Sequence, residues 1–330
     1  MKIHHLDLGP ARPFGGRLMD GVSPGLLARL TCHCLAIETS THGVILVDTG
    51  FGLRDALRPT PRLPGWNLAL LRPRLHPERT AIRRLKKLGF APTDVRHIVM
   101  THLDFDHAGG LVDFPHATVH LTAAEAEAAT NRRSFIDRTR WRPAQWGDTG
   151  RWHTVETRLG TRGGGDTFFG LRNVRTIEGL PEDILFVPLP GHTPGHAGVA
   201  VKGPRGWMLH AGDTYFNRAE AHGDGTAPPL VAAYEHLMAD NIHAGRQSLA
   251  ALRLMLEAPD ADVAVFCTHD PVEFAAVSAW SESDYAPPVA ATSPAPTAPS
   301  PAPTAPSPAF ARPLRNQLTV VMWSDSLSLV

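Results

Sequence analysis

The stretch THLDFDHAGG, Thr101 to Gly110, gathers His102, Asp104, Asp106 and His107 within six residues. Imidazole and carboxylate are the side chains that hold borderline and hard divalent cations. Further metal-binding residue types stand where apolar runs end. IVM leads to His102, FVPLP to His192, WMLHAG to Asp213 and VAVFCT to His269. A residue at a strand end, followed by a glycine-containing loop, is exposed yet fixed by the scaffold behind it. One such ending is common by chance. Four in chain order, the first inside an H-x-D-x-D-H cluster, point to a metal centre.

The elements that must position these residues read as two sets of strands. CHCLAIET and VILVDTG, separated by STHG, form a hairpin; VRHIVMTH and ATVHLT follow. DILFVPLPGH, AGVAVKG, GWMLHAGD and DVAVFCTHD repeat the pattern in the second half. Helical patterns lie between them. ERTAIRRLKKLGF ends in Gly89. TAAEAEAAT opens on Thr122 with Glu125 three residues on, the signature of a capping box. GRQSLAALRLMLEA places Leu249, Leu252 and Leu256 on one face. This repetition predicts two packed sheets with helices outside.

Composition narrows the function classes. Lys+Arg and Asp+Glu both number 32, which argues against a nucleic-acid-binding role. Three cysteines, an odd number, suit a reducing compartment better than a disulfide framework. Cys32, Cys34 and Cys267 are expected in the core. No apolar h-region opens the chain and no run approaches the length of a membrane helix, so the expectation is a cytoplasmic protein without a membrane partner. Residues 1–284 form the expected catalytic domain. Residues 285–311, dominated by Pro, Ala, Ser and Thr with SPAPTAP twice in tandem, are expected to be a disordered linker, followed by a short tail over 312–330.

THLDFDHAGG, PGHTPGHAG, HAGDTYF and CTHD, with VDTGFG upstream, resemble the metallo-β-lactamase fold superfamily of metal-dependent hydrolases. The resemblance spans about residues 30 to 275. It implies an α/β fold, a four-layered αββα sandwich, with a dinuclear site where the two sheets meet. By that resemblance His102, Asp104 and His192 hold one metal, Asp106, His107 and His269 the other, and Asp213 and a hydroxide bridge them. Asp48 supports the site from behind, and His196 is a stabilising neighbour. Two metals about 3.5–4 Å apart generate a nucleophile near neutral pH and polarise a carbonyl or phosphoryl oxygen.

Position 104 departs from the resemblance, which has histidine there in most members. Two divalent ions, three carboxylates and one hydroxide leave the centre neutral, whereas histidine at 104 would leave one positive charge. Zinc is the expected metal, with iron or manganese as the alternative that the extra carboxylate admits. A carboxylate in that slot also resembles the flavodiiron proteins, which carry a flavin domain that has no counterpart here.

The stretch 131–180, with Arg132, Arg133, Arg138, Arg140, Arg142, Arg151, Trp141, Trp146 and Trp152, reads as a lid insertion or, equally, as a surface segment anchored by its tryptophans. Tyr215 and Phe216 are expected to face the pocket, with Tyr215 donating to an oxyanion and joining Asp106 and Asp213 as catalytic residues. The function expected is hydrolysis of a small-molecule lactone or other ester. Thioester or phosphodiester hydrolysis, a diiron redox protein served by a separate electron donor, and a non-catalytic metal-binding scaffold are the alternatives. Oligomeric state is not legible in the sequence.

Overall fold

The computed structural model describes residues 1–157, 166–258 and 261–282. The linker and tail expected over 285–311 and 312–330 lie outside the described residues.

The first sheet comprises β1 (Lys2–Asp7), β2 (His33–Glu38), β3 (Val44–Val47), β4 (Val95–Val99), β5 (Thr118–Thr122) and β6 (Trp152–Val155), in that order across the sheet. The second comprises β7 (Asp166–Phe168), β8 (Leu171–Thr176), β9 (Ile184–Pro188), β10 (Ala197–Gly203), β11 (Gly206–His210) and β12 (Val263–Phe266), again in chain order. The expected hairpin is β2–β3, antiparallel with Leu35 opposite Val47.

Side-chain alternation explains why the strands stack as they do. Leu35, Ile37, Ile45, Val47 and Val99 point inward and meet Phe186, Val199, Val201 and Phe266 of the other sheet. Their neighbours Cys34, Ala36, Val44 and Leu46 point outward, into a cluster with Ala81, Leu85 and Ala129 of the flanking helices. On the far side Val187, Leu209 and Val265 pack with Leu252 and Met255 of the helix Ile242–Glu257, and Leu249 and Leu256 lie against the same cluster. The result is the helix–sheet–sheet–helix order that the sequence predicts. Cys32, Cys34 and Cys267 are buried and unpaired, as expected of core cysteines.

Topology brings the chemistry to one place. β3, β4 and β5 run parallel, so the segments leaving β3 towards Asp48 and β4 towards His102 emerge at the same end. β10 is antiparallel to both β9 and β11, and β11 is parallel to β12, so the segments towards His192, Asp213 and His269 also emerge together. Backbone bonds from Ala197 N to Thr101 O and from Thr31 N to His269 O join the two sheets there. No helix among the described residues is long and apolar enough to cross a membrane.

Candidate metal centre

Six of the seven predicted ligands fall into two clusters. Donor atoms of His102, His192 and Asp213 lie within 4.8 Å of one another, as do those of Asp106, His107 and His269. Asp213 faces both. Its Oδ2 is 3.1 Å from His269 Nε2, 3.6 Å from His192 Nε2 and 3.8 Å from His102 Nε2, and its Oδ1 is 3.3 Å from His107 Nε2.

Hydrogen bonds behind the histidines fix which nitrogen looks inward. His107 Nδ1 donates to Asp48 Oδ2 at 2.8 Å, and His269 Nδ1 donates to the Thr31 carbonyl at 2.8 Å. The Thr101 hydroxyl donates to Asp48 at 2.7 Å and thereby accepts from His102 Nδ1 at 2.9 Å. Each ring is left with its Nε2 lone pair directed into the cluster, the arrangement that metal-binding histidines require. His102 Nε2, His107 Nε2 and Asp213 Oδ1 are buried and make no hydrogen bond among the described residues. A divalent cation fits this donor set, because buried polar atoms otherwise incur the full cost of desolvation.

Asp48 carries this support on an unusual backbone, with φ at 57°. Asparagine tolerates that conformation, so Asp48→Asn isolates the loss of charge and of one acceptor oxygen. The variant is expected to weaken metal binding about 10–100-fold, as measured by competition with a chelating indicator. An unchanged affinity would make Asp48 a turn residue only.

His196 matches its expected role. Its Nδ1 donates to the Leu189 carbonyl and its Nε2 accepts from the Asp213 N–H at 2.9 Å, so it orients the shared carboxylate. Burial, then the neighbouring His102 and His192, hold its pKa well below the usual value, so it stays a neutral acceptor. The His192 loop is seated by a close backbone approach. A Cβ on Gly191 would fall 2.2 Å from Gly245 Cα in the helix behind it.

Asp104 stands beside the first cluster, its Oδ2 3.0 Å from His192 Nε2, but both its oxygens are bound by an arginine. Arg140 Nε donates to Oδ1 and Nη2 to Oδ2, each at 2.8 Å. Burial alone would raise the Asp104 pKa; Arg140, then His102, outweigh it and hold the group well below the usual carboxylate range. Sequence reasoning left Arg140 between a substrate-facing lid and a solvated surface, and so missed this contact.

Trp141, Trp146, Arg142 and Arg151 of the same segment are anchored in the body. Trp141 and Trp146 belong to the buried core, and Trp152 packs against it. Arg151 donates to the carbonyls of Leu111, Phe114, Ala117 and Trp146, and Arg142 to those of Pro61 and Arg62. The structure also corrects the expectation for Tyr215. Its hydroxyl donates to Glu273 at 3.1 Å within the cluster outside the second sheet, because the chain turns through Gly212 and Asp213 and the side chains of Asp213 and Tyr215 leave that turn on different sides. Phe216 does reach the site, its ring 4.6 Å from that of His269.

Two further residues escaped the sequence reading. Glu125 accepts from Leu103 N, Trp141 Nε1 and Thr193 Oγ1, tying together three segments around the centre. Tyr234 lines an apolar cleft with Leu30, Phe51, Leu71 and Phe216 that opens onto Asp106 and His269. Neither has a spacing signal of its own, although the Thr122–Glu125 pair was visible.

Comparison with known proteins agrees with this geometry. The model of the metallo-beta-lactamase superfamily matches residues 27–269. A probable metallo-hydrolase of Mycobacterium tuberculosis is 37% identical over 272 residues, covering 82% of this chain and 81% of that protein. An N-acyl homoserine lactonase of Bacillus thuringiensis is 26% identical over 205 residues, covering 61% of this chain and 70% of that one. Among solved structures, a mutant of AiiA from B. thuringiensis with N-decanoyl-L-homoserine bound at its active site superposes with a TM-score of 0.61 at 20% identity, covering 82% and 94% of the two chains. The chain belongs to the metallo-beta-lactamase superfamily and is a metal-dependent hydrolase.

Proposed function

We propose that this protein hydrolyses a lactone or other carboxylic ester, with one divalent ion held by His102, His192 and Asp213, a second by Asp106, His107 and His269, and Asp213 shared. The observation that carries this reading is the pair of donor clusters that meet at Asp213, whose oxygens lie 3.1 to 3.8 Å from histidines of both. A narrow apolar cleft lined by Phe51, Leu71, Phe216 and Tyr234 ends at Asp106 and His269; at about 20 Å³ it has room for about one water, so the apolar part of an ester must part these side chains to enter. Two bound ions, zinc by the mixture of imidazole and carboxylate donors, supply a hydroxide nucleophile and polarise the carbonyl oxygen.

The chain's own residues supply orientation and a proton donor. Burial, then the charges of Asp106 and Asp104, keep the Tyr234 phenol protonated, its pKa well above the usual value. A protonated phenol at the cleft donates a hydrogen bond to the oxygen that gains charge as the carbonyl is attacked. Phe216, its ring tilted against those of His192 at 5.8 Å and His269 at 4.6 Å, excludes water on that side.

The relatives' names select the first substrates to test. N-acyl homoserine lactones with short and long acyl chains, an acyl thioester, a phosphodiester and a phosphonate would be offered to zinc-loaded protein, with acid release followed by an indicator. Lactone turnover that a chelator abolishes and zinc restores is the expected result. Preference for the thioester or the phosphodiester would replace the ester reading. Full metal occupancy without turnover would favour a binding scaffold, and consumption of oxygen or nitric oxide by iron-loaded protein with a reductase would favour the diiron alternative.

A further inference from the structure

Arg140 is 1% exposed, and its guanidinium has all five N–H groups engaged. Nε and Nη2 grip the two oxygens of Asp104, Nη1 donates to the carbonyls of His192 and Met238 at 2.9 and 2.8 Å, and Nη2 also lies 2.8 Å from His192 Nε2. The backbone bridge between Asp104 and Trp141 holds the arginine in this place. His192 Nε2 lies between two partners, 2.8 Å from the Arg140 Nη2 donor and 3.0 Å from Asp104 Oδ2, and the tautomer with a lone pair on Nε2 is the one that accepts from Arg140 and could bind a metal. Among the described residues, the cluster of Asp106, His107 and His269 has no arginine or lysine as a hydrogen-bond partner.

We propose that Arg140 makes the two metal positions unequal, by pairing with Asp104 as a neutral unit in place of a histidine and by competing with the metal for His192. The inference rests on the two-cluster reading given above. Three physical terms act in the same direction at the His102–His192–Asp213 position. The carboxylate of Asp104 is withdrawn by a bidentate pair, the strongest form of carboxylate recognition. A full positive charge sits one hydrogen bond from the ligand nitrogen, in a site too buried for water to screen it. A metal entering there must also break the contact between Nη2 and His192. The pair has a compensating effect on chemistry. Asp104 alone would leave the loaded centre neutral, and the guanidinium restores the one positive charge that histidine at 104 would give. The acidity of the bound nucleophile is thereby maintained despite the extra carboxylate.

Chelator-stripped protein would be titrated with zinc against a chromophoric chelating indicator, with native mass spectrometry counting the ions bound. The full wild-type chain is expected to show two events whose dissociation constants differ by at least 100-fold. His269→Ala should remove the tight event and His192→Ala the weak one. Arg140→Met frees Asp104 and His192, so the weak event should tighten at least tenfold. Arg140→Lys keeps the charge without the fork and should leave it weak, and Asp104→Asn, which leaves the cation uncompensated, should abolish it. Two equal affinities in the wild type would overturn the proposal without recourse to any variant. So would a folded Arg140→Met protein whose second affinity is unchanged or weaker. Because the readout is binding, unequal sites in a protein that hydrolyses no ester would remove the functional proposal and leave this one standing; ester hydrolysis with equal sites would do the reverse.

Discussion

Asp213→Asn is expected to lower ester hydrolysis by about 10³-fold and to reduce the metal content of the purified protein. A metal acting as Lewis acid and source of hydroxide contributes several kcal/mol to the transition state, and each ~1.4 kcal/mol is a factor of ten. Asp213 is the carboxylate whose two oxygens reach histidines of both clusters, at 3.1 to 3.8 Å. Asparagine preserves its volume and its backbone bond to His196, but its amide nitrogen cannot ligate. One oxygen must then serve where two did. The variant separates shared from independent clusters: if each acted alone, losing one ligand would cost about tenfold, and the metal count would change by at most one ion. Metal analysis of the same preparation distinguishes a failure to bind from a failure to activate. A variant retaining both ions and near wild-type turnover would show that Asp213 does not join the two positions.

The residues of the two donor clusters were legible because they sit in a local pattern and at the ends of predicted strands. VILV is buried on both faces and VAVF over its second half, so they stand out as apolar blocks, and the residue leaving each block is conspicuous. The strands that the reading missed lack this contrast. β1 is KIHHLD and carries two histidines, one of which pairs with Glu38 across the strand, so its apolar residues are too few to register. β7 and β8 form a short, largely exposed hairpin at the sheet edge.

The misses in the site have a common cause. Tyr215 was placed by its proximity in sequence to Asp213, yet the chain turns through Gly212 and Asp213, and a turn breaks the two-residue alternation that would keep both side chains on one face. Arg140 and Tyr234 come from segments with no motif, and long-range packing alone brings them to the centre. The composition of 131–180 reads equally as a lid or as an anchored segment, because arginine and tryptophan serve both ligand binding and anchoring. Burial decides between the two roles: Trp141 and Trp146 are 2% and 4% exposed, and each leaves little surface for a substrate. The apolar wall is instead built from the segments around Leu30, Phe51 and Leu71, whose spacing gave no warning.

Glu125→Ala is expected to destabilise the protein by about 3–5 kcal/mol, far more than the loss of a helix cap. The sequence reading assigned Glu125 to a capping box, but only half of that motif is present. Thr122 Oγ1 accepts from the Glu125 N–H, as a cap should. The Glu125 carboxylate turns inward, accepting from Leu103 N at 2.9 Å, Trp141 Nε1 at 3.1 Å and Thr193 Oγ1 at 2.5 Å. Leu103 lies between His102 and Asp104, Thr193 follows His192, and Trp141 follows Arg140, so one buried carboxylate braces three segments of the centre. Alanine leaves three buried donors unpaired, each costing about 1–3 kcal/mol, offset in part by removal of a buried charge. Glutamine keeps an acceptor for Leu103 and Trp141, and the Thr193 hydroxyl can turn to accept, so Glu125→Gln should cost only about 1 kcal/mol. A cap alone would put the alanine value near 1 kcal/mol. Urea unfolding of chelator-treated protein measures the difference without the added stability of bound metal, and equal effects of alanine and glutamine would remove Glu125 from the support of the site.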